Sequence, residues 1–232
     1  MGYHTVRPCL DASPLHEPMK ALIIPVTPFQ QNCCVIWDER SRRAAVIDPG
    51  GDLDRVLAEV DREQLKLEKI LLTHGHLDHA AGTAELARLR GLPIEGPHRD
   101  DRFLIEQLPE TTRRFGFPPA ATFTPDRWLE QGDQVRVGEE VLEVLHCPGH
   151  TPGHVVFFHP GQRFAWVGDV IFAGSIGRSD LPGGNHDTLM RSIRENLFPL
   201  GDDVRFLPGH GPLSTFGQER QHNPFVADRH FG

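Results

Sequence analysis

Three imidazoles and a carboxylate fall within six consecutive positions, His74-Gly75-His76-Leu77-Asp78-His79, directly after the apolar run Ile70-Leu71-Leu72-Thr73. Imidazole nitrogens and carboxylate oxygens are the usual donors to a divalent cation, and four of them leaving the end of an apolar run point to a metal site. In an extended segment alternate side chains share a face, so His74 and His76 can reach one ion together. The chain must then turn, which aims Asp78 and His79 elsewhere, and the spacing predicts two adjacent ions. From Ala80 to Arg90 the sequence is rich in helix formers and closes on Gly91 and then Pro93, which places Asp78 and His79 at a helix start. The positive end of that helix is expected to hold His79 neutral, the form that a metal requires.

Other elements must bring further donors to this loop. Short apolar runs bounded by Gly, Pro or Asp recur at 21–26, 33–37, 44–47, 69–72, 141–145, 155–158, 164–167 and 204–207, and read as strands. Helical patterns intervene at 53–61, 80–90, 99–107 and 187–196, with a shorter one near 214–220. Strands and helices mixed in this way imply an α/β architecture whose sheets are covered by helices. Metal-type residues lie beyond the end of a strand run four times: at His74, at His146-Cys147-Pro148-Gly149-His150, at Gly168-Asp169 and at Pro208-Gly209-His210. Loops at sheet edges gather into one crevice, so these distant segments are expected to converge.

Composition bounds the rest. The chain has 232 residues, 38% hydrophobic and 24% charged, as expected of a globular protein, and its formal charge of -8 offers no electrostatic footprint for nucleic acid or an anionic membrane. No stretch approaches the roughly 18 apolar residues of a membrane span, and the opening residues lack an apolar signal centre, so a cytoplasmic enzyme is expected. Residues 1–18 read as a poorly ordered tail ahead of a single domain over 19–232. Cys9, Cys33, Cys34 and Cys147 follow no paired spacing and read as reduced thiols. Cys147 precedes Pro148 and Gly149, a turn that aims His150, and is itself read as buried rather than as a ligand. Trp37, Trp128 and Trp166 read as core. His146, His154, His159, His186, His222 and His230 read as hydrogen-bonded strand-end or surface histidines. The segment 109–125, with several prolines and no clear period, reads as a surface loop, with a lid or an oligomer contact as alternatives.

Taken together, His74, His76, Asp78, His79, His150, Asp169 and His210 resemble the dinuclear ligand set of the metallo-β-lactamase superfamily, over about residues 19–226. The resemblance implies an αββα sandwich of two mixed sheets flanked by helices, with the metals at one sheet edge. It further implies that His74, His76 and His150 hold one ion, that Asp78, His79 and His210 hold the second, and that Asp169 bridges them. Asp48, in Ile47-Asp48-Pro49-Gly50, matches an aspartate that supports the ligand loop from behind. Within the superfamily the sequence is most similar to short bacterial glyoxalase II. The marks are Thr73 to His79, Cys147-Pro148-Gly149-His150-Thr151-Pro152-Gly153-His154, Gly168-Asp169, Gly174-Ser175-Ile176-Gly177-Arg178-Ser179-Asp180, and Pro208-Gly209-His210-Gly211 with Glu219 and Asn223-Pro224.

The implied chemistry is hydrolysis of a thioester, an S-acylglutathione such as S-lactoylglutathione. Two divalent ions sharing an oxygen lower the pKa of bound water from about 15.7 toward 7 and so supply a bridging hydroxide. The leaving thiol, with a pKa near 8.5, departs readily from such a site. Asp78 can orient the nucleophile and manage its proton. Zinc is the expected metal, with iron and manganese as alternatives. The helical C-terminal domain with which full-length glyoxalase II grips glutathione has no counterpart in the 22 residues after His210, and the single tyrosine is Tyr3. Arg178 is therefore the expected anion contact, with a loop salt bridge as the alternative reading.

A second branch of the same fold, the iron persulfide dioxygenases, keeps the same ligand letters with one Fe(II) on His74, His150 and Asp169. Oxygen uptake distinguishes it. The nuclease branch needs a large insertion for which 169–210 has no room, and the flavodiiron branch has glutamate at the position of His76. A non-catalytic metal-binding or sensing module is the alternative of a different class, opposed by the retention of Asp78 and both sets of donors.

Overall fold

A chain whose apolar runs are too continuous to alternate predicts strands buried on both faces, and this is the arrangement found. The structure is a computed structural model and describes residues 19–230. The tail expected over residues 1–18 lies outside them. Strands β1 (Met19–Val26), β2 (Gln31–Asp38), β3 (Arg43–Ile47), β4 (Lys66–Leu71) and β5 (Ile94–Glu95) form one sheet in that order. β1 to β3 are antiparallel neighbours, whereas β3, β4 and β5 run parallel. The chain continues through β6 (Gln134–Val137), β7 (Glu140–His146), β8 (Val155–His159) and β9 (Phe164–Gly168), a small hairpin of β10 (Ile171–Phe172) and β11 (Ser175–Ile176), and then β12 (Arg205–Pro208) and β13 (Ser214–Thr215). All of these except the hairpin join a second sheet in the order β13-β12-β9-β8-β7-β6.

Alternation along each strand divides the core into three layers. Ala21, Ile23, Cys34, Ile36, Ala45, Ile47 and Leu71 face the second sheet, meeting Leu142, Val144, Val155, Phe157, Phe164, Trp166 and Leu207. On the outer face of the first sheet, Leu22, Val35, Trp37, Val46 and Ile70 pack under α1 (Leu53–Arg62), α3 (Thr83–Arg90) and α4 (Arg102–Phe115), with the one-turn α2 (Leu77–Ala80) between α1 and α3 in the chain. On the outer face of the second sheet, Val156, Phe158, Ala165, Val167 and Phe206 meet α5 (His186–Arg191), the wider π turn Ser192–Leu197 that continues it, and α6 (Phe216–His222). The result is the αββα sandwich expected. Burying each large apolar side chain contributes about 1.5–3 kcal/mol, so the three layers supply most of the folding drive.

Several local readings are corrected. The helix expected over 80–90 is two helices, α2 and α3, broken at Ala81-Gly82, where the Gly82 N–H donates to the Pro49 carbonyl at 3.0 Å instead of continuing the helical ladder. The helix expected to stop at Gln107 runs through Pro109 to Phe115. Ile105, Leu108 and Thr112 are its buried residues, spaced on one face, while Pro109 is exposed, so packing outweighs the lost backbone bond. The loop expected over 109–125 is therefore partly helix. Its remainder is strapped down, with Phe117 buried and Ala120 and Phe123 packed on the outer core. Strand β6 lies outside the expected runs because only Val135 and Val137 of its four residues are buried.

Candidate metal centre

Each donor sits just past the carboxyl end of a strand. Asp48 follows β3, the His74 to His79 loop follows β4, His150 follows β7, Asp169 follows β9 and His210 follows β12. β3 and β4 are parallel, as are β9 and β12, and β7 and β9 both run antiparallel to β8. These strand ends therefore open on one edge of the sandwich, and loops 162 residues apart in sequence, from Asp48 to His210, meet there. At the end of β12 the register slips between Leu207 and Pro208, a bulge that re-aims the chain as it approaches His210.

Two groups of three donors result, His74 with His76 and His150, and Asp78 with His79 and His210, the ligand atoms within each lying within 4.8 Å of one another. His76 Nδ1 is 2.9 Å from His150 Nε2, and His210 Nε2 is 3.1 Å from Asp78 Oδ2. Asp169 stands between the groups: its Oδ1 lies 3.4 Å from His79 Nε2, and its Oδ2 lies 3.6 Å from His150 Nε2 and 3.7 Å from His210 Nε2. The seven residues named from the sequence are all brought together.

Bonds behind the centre select which nitrogen faces it. Taking each donor role from the network, His79 Nδ1 donates to Asp48 Oδ2 at 2.9 Å, His150 Nδ1 to the Arg178 carbonyl at 2.7 Å, and His210 Nδ1 to the Phe29 carbonyl at 3.1 Å. His74 Nδ1 lies 3.0 Å from the Thr73 hydroxyl, which itself donates to Asp48 Oδ2 at 2.6 Å. Four rings thus present Nε2 inward, which is how the supporting groups of a metal site fix tautomers. Asp48 also accepts the Thr73 backbone N–H at 2.7 Å and is buried.

His154 is the hydrogen-bonded strand-end histidine expected, directly ahead of β8 and outside both donor groups, but its partners belong to the centre. It is fully buried, stacks on His74 with ring centroids 4.7 Å apart, and accepts the Asp169 backbone N–H on Nε2 at 3.0 Å. A Cβ at Gly168 would lie 2.6 Å from His154 Nε2 and 2.6 Å from Thr73 Oγ1, so only glycine fits at that turn into Asp169. The sequence signal was the motif Thr151-Pro152-Gly153-His154, whose histidine acts through a backbone group rather than as a donor to the centre.

The electrostatics follow from burial and from carboxylate placement. Burial, then the neighbouring imidazoles, pushes His74 well below the ordinary histidine range. Burial and His150 bring His76 down to about 3, and burial lowers His150 as well. His79 goes the other way: burial would lower it, but Asp169 and Asp78 outweigh that and raise it well above its ordinary value. The same attraction holds Asp169 well below the usual carboxylate range although burial alone would raise it. The expected effect of a helix start on His79 is therefore opposed by the carboxylates of Asp48, Asp78 and Asp169, all within 4 Å.

Divalent cations fit this donor set. His74 Nε2, His79 Nε2 and Asp169 Oδ1 are buried with no hydrogen-bond partner among the described residues. Orphaned polar atoms of this kind are costly unless coordination satisfies them. A further group, His98, Asp100 and His146, lies nearby, but its two imidazoles stack at 4.2 Å. His98 Nδ1 already accepts the Asp100 N–H and His146 Nε2 bonds to the Pro152 carbonyl, so its lone pairs do not converge. Arg178 places its guanidinium on Asp180 at 2.9 and 3.0 Å, on an exposed loop. Cys33, Cys34 and Cys147 are free and buried, and Trp37 and Trp166 are core. Trp128 is partly buried against the outer core.

Fold and donor set together define a class, and the family model described as the metallo-beta-lactamase superfamily matches residues 26–210. The chain belongs to that superfamily. It is 47% identical over 209 residues to the hydroxyacylglutathione hydrolase GloC of Haemophilus influenzae, an alignment covering 90% of this chain and 98% of that one. Among solved structures, the BLEG-1 B3 metallo-beta-lactamase superposes with a TM-score of 0.82 at 35% identity, covering 89% of this chain and 99% of its own. TTHA1623 in a di-iron-bound form superposes with a TM-score of 0.80 at 36% identity, covering 88% and 99%. Superfamily membership and the His/Asp clusters imply divalent metals. Among the described residues no helix is long and apolar enough to cross a membrane.

Proposed function

We propose that this protein is a dinuclear metallohydrolase that cleaves a thioester, with an S-acylglutathione such as S-lactoylglutathione as substrate. The observation that carries the reading is the pair of three-donor groups with Asp169 between them. The likeness to a hydroxyacylglutathione hydrolase over nearly the whole of both chains supports the choice of substrate. His74, His76 and His150 would hold one ion and Asp78, His79 and His210 the other, with Asp169 shared. Zinc is the proposed metal, and the di-iron form of a relative makes iron the alternative to test. When bound, such a pair supplies Lewis acidity and water of lowered pKa.

The chain's own residues do the remainder. Asp78 is largely buried and holds an oxygen 3.1 Å from His210 Nε2, which keeps one carboxylate oxygen directed at the centre, where it can orient a nucleophile and carry its proton. Asp48 holds Thr73 and His79 in place from behind. Arg178 would take a substrate carboxylate by exchanging its partner Asp180, a swap of one exposed carboxylate for another that costs little. A small-molecule thioester, without nucleic acid or membrane, in a cytoplasmic setting completes the reading.

The test is turnover of S-lactoylglutathione by protein carrying two metal ions per chain. Hydrolysis with release of glutathione is the expected result. Fully metallated protein that turns over no acyl-glutathione would overturn the substrate assignment, and oxygen uptake with glutathione persulfide would replace it with the dioxygenase chemistry.

A further inference from the structure

We propose that Asp101 is a positioning residue that locks together the two loops carrying His74, His76 and His150, and so sets the affinity of the ion held by that trio. The inference rests on the metal-binding reading above. Asp101 immediately precedes α4, is fully buried, and directs its side-chain hydrogen bonds to residues other than the seven donors. Its carboxylate instead reaches both loops. Oδ2 accepts the Gly75 backbone N–H at 2.9 Å and the Thr151 hydroxyl at 2.8 Å, and Oδ1 accepts the Gly153 backbone N–H at 2.6 Å. Gly75 lies between His74 and His76, and Thr151 follows His150. One side chain therefore fixes the backbone on both sides of the 2.9 Å gap between His76 and His150.

The chemistry of the contact demands a carboxylate. All three partners donate, so an ionised acid satisfies every one of them, whereas an asparagine must turn its NH2 toward at least one backbone N–H. An aspartate at a helix start ordinarily caps its own first turn. Asp101 does not cap α4 with its side chain, and its whole acceptor capacity goes to the loops. The approach is also close. A Cβ at Gly153 would lie 2.5 Å from the Asp101 backbone nitrogen, and a Cβ at Gly75 would lie 2.8 Å from Leu104 Cβ, so the start of α4 is seated directly against both loops.

The physical consequence is preorganisation. Two loops joined at one buried group need not be ordered when the cation arrives, and loss of the joint transfers that ordering cost to binding. Groups supporting a metal site from behind typically change affinity by about 10- to 100-fold when mutated.

The test is zinc affinity of the full chain by competition with a chelator, with thermal melting of the metal-free form alongside. Placed in a His210→Ala background, which keeps the His74, His76 and His150 trio, Asp101→Asn is expected to weaken zinc binding by about 10- to 100-fold. In a His150→Ala background, which keeps Asp78, His79 and His210, the same change is expected to alter affinity by less than about threefold, since Asp101 bonds to none of those residues. Equal losses in both backgrounds, or no loss in the first, would overturn the proposal. Thr151→Val removes one of the three donors and is expected to show the same selectivity at smaller amplitude. It decides the matter should Asp101→Asn fail to fold. Wild-type protein that binds no zinc, iron or manganese would refute the metal-binding reading itself, an outcome separate from unchanged affinity in the variants.

Discussion

Gly209 offers a direct challenge to the assembled centre. It lies between Pro208 and His210, and its backbone is held on both sides: its N–H donates to the Gly168 carbonyl at 2.7 Å and its carbonyl accepts the Asn32 N–H at 2.7 Å. Its φ is not positive, so the peptide conformation itself admits alanine. The space does not. A methyl group there would sit 2.1 Å from Asp169 Oδ1 and 2.6 Å from His79 Cε1. Ordinary contact begins near 3.4 Å, so one of these groups must retreat by about 1.3 Å. Metal ligands tolerate about 0.2 Å, and a displacement of 1 Å near reacting groups can cost about 100-fold in rate. Gly209→Ala is therefore expected to lose metal from the Asp78, His79 and His210 group and to lose activity by about 100-fold or more, while remaining folded. Metal content per chain, S-lactoylglutathione hydrolysis and circular dichroism measure these three outcomes. Gly51→Ala is the control, because its methyl group meets only Thr27 Cγ2 at 3.2 Å, away from the donors. A Gly209→Ala protein with two ions per chain and near-normal turnover would refute the geometry described for Asp169 and His79.

Three further outcomes follow from particular residues. Asp48→Asn leaves one of the Thr73 or His79 donors facing an amide NH2, and should destabilise the metal-free protein by about 1–3 kcal/mol in urea while weakening the second ion about 10- to 100-fold. Burial pushes Cys34 and Cys147 up to about 12 and raises Cys33 well above its ordinary value, so the thiolate is scarce near pH 8. Peptide mapping after alkylation should find all three unlabelled in the native protein and labelled in denaturant. Burial also raises the Asp101 carboxyl from 3.8 to about 6. A raised acid adds stability that is complete below pH 3.8 and is lost as pH rises through about 6. The unfolding free energy of the metal-free wild type, measured relative to Asp101→Asn, should fall by about 2–3 kcal/mol across that window. A flat difference would show that the Asp101 carboxyl is not raised.

The His74 to His79 loop and the strand ends were legible in the sequence because each leaves a short-range mark, whereas the αββα sandwich and the complete donor set were implied by the resemblance to a known superfamily. His74 to His79 is a six-residue pattern, and the strand interiors are apolar runs whose length and punctuation identify them without any knowledge of neighbours. Superfamily spacing then related His150, Asp169 and His210 to that loop, and the structure brings all of them to one edge. Tertiary contacts decided the rest, because their causes lie far away in the chain. Asp101 falls inside the helix expected over 99–107 with nothing local to single it out, and only its approach to Gly75, Thr151 and Gly153, up to 52 residues away, makes it a joint between loops. His154 reads as a hydrogen-bonded strand-end histidine, and the fold alone shows that its partners are the His74 ring and the Asp169 backbone. The carboxylates around His79 could not all be read from its own loop, since Asp78 is its neighbour in the chain but Asp48 and Asp169 arrive from two other loops. Pro109 stays inside α4 because the apolar face on either side of it has a sheet to pack against. Residue type and periodicity act over a few positions, whereas burial, hydrogen bonding and charge act through space, and only a folded chain determines which groups are near.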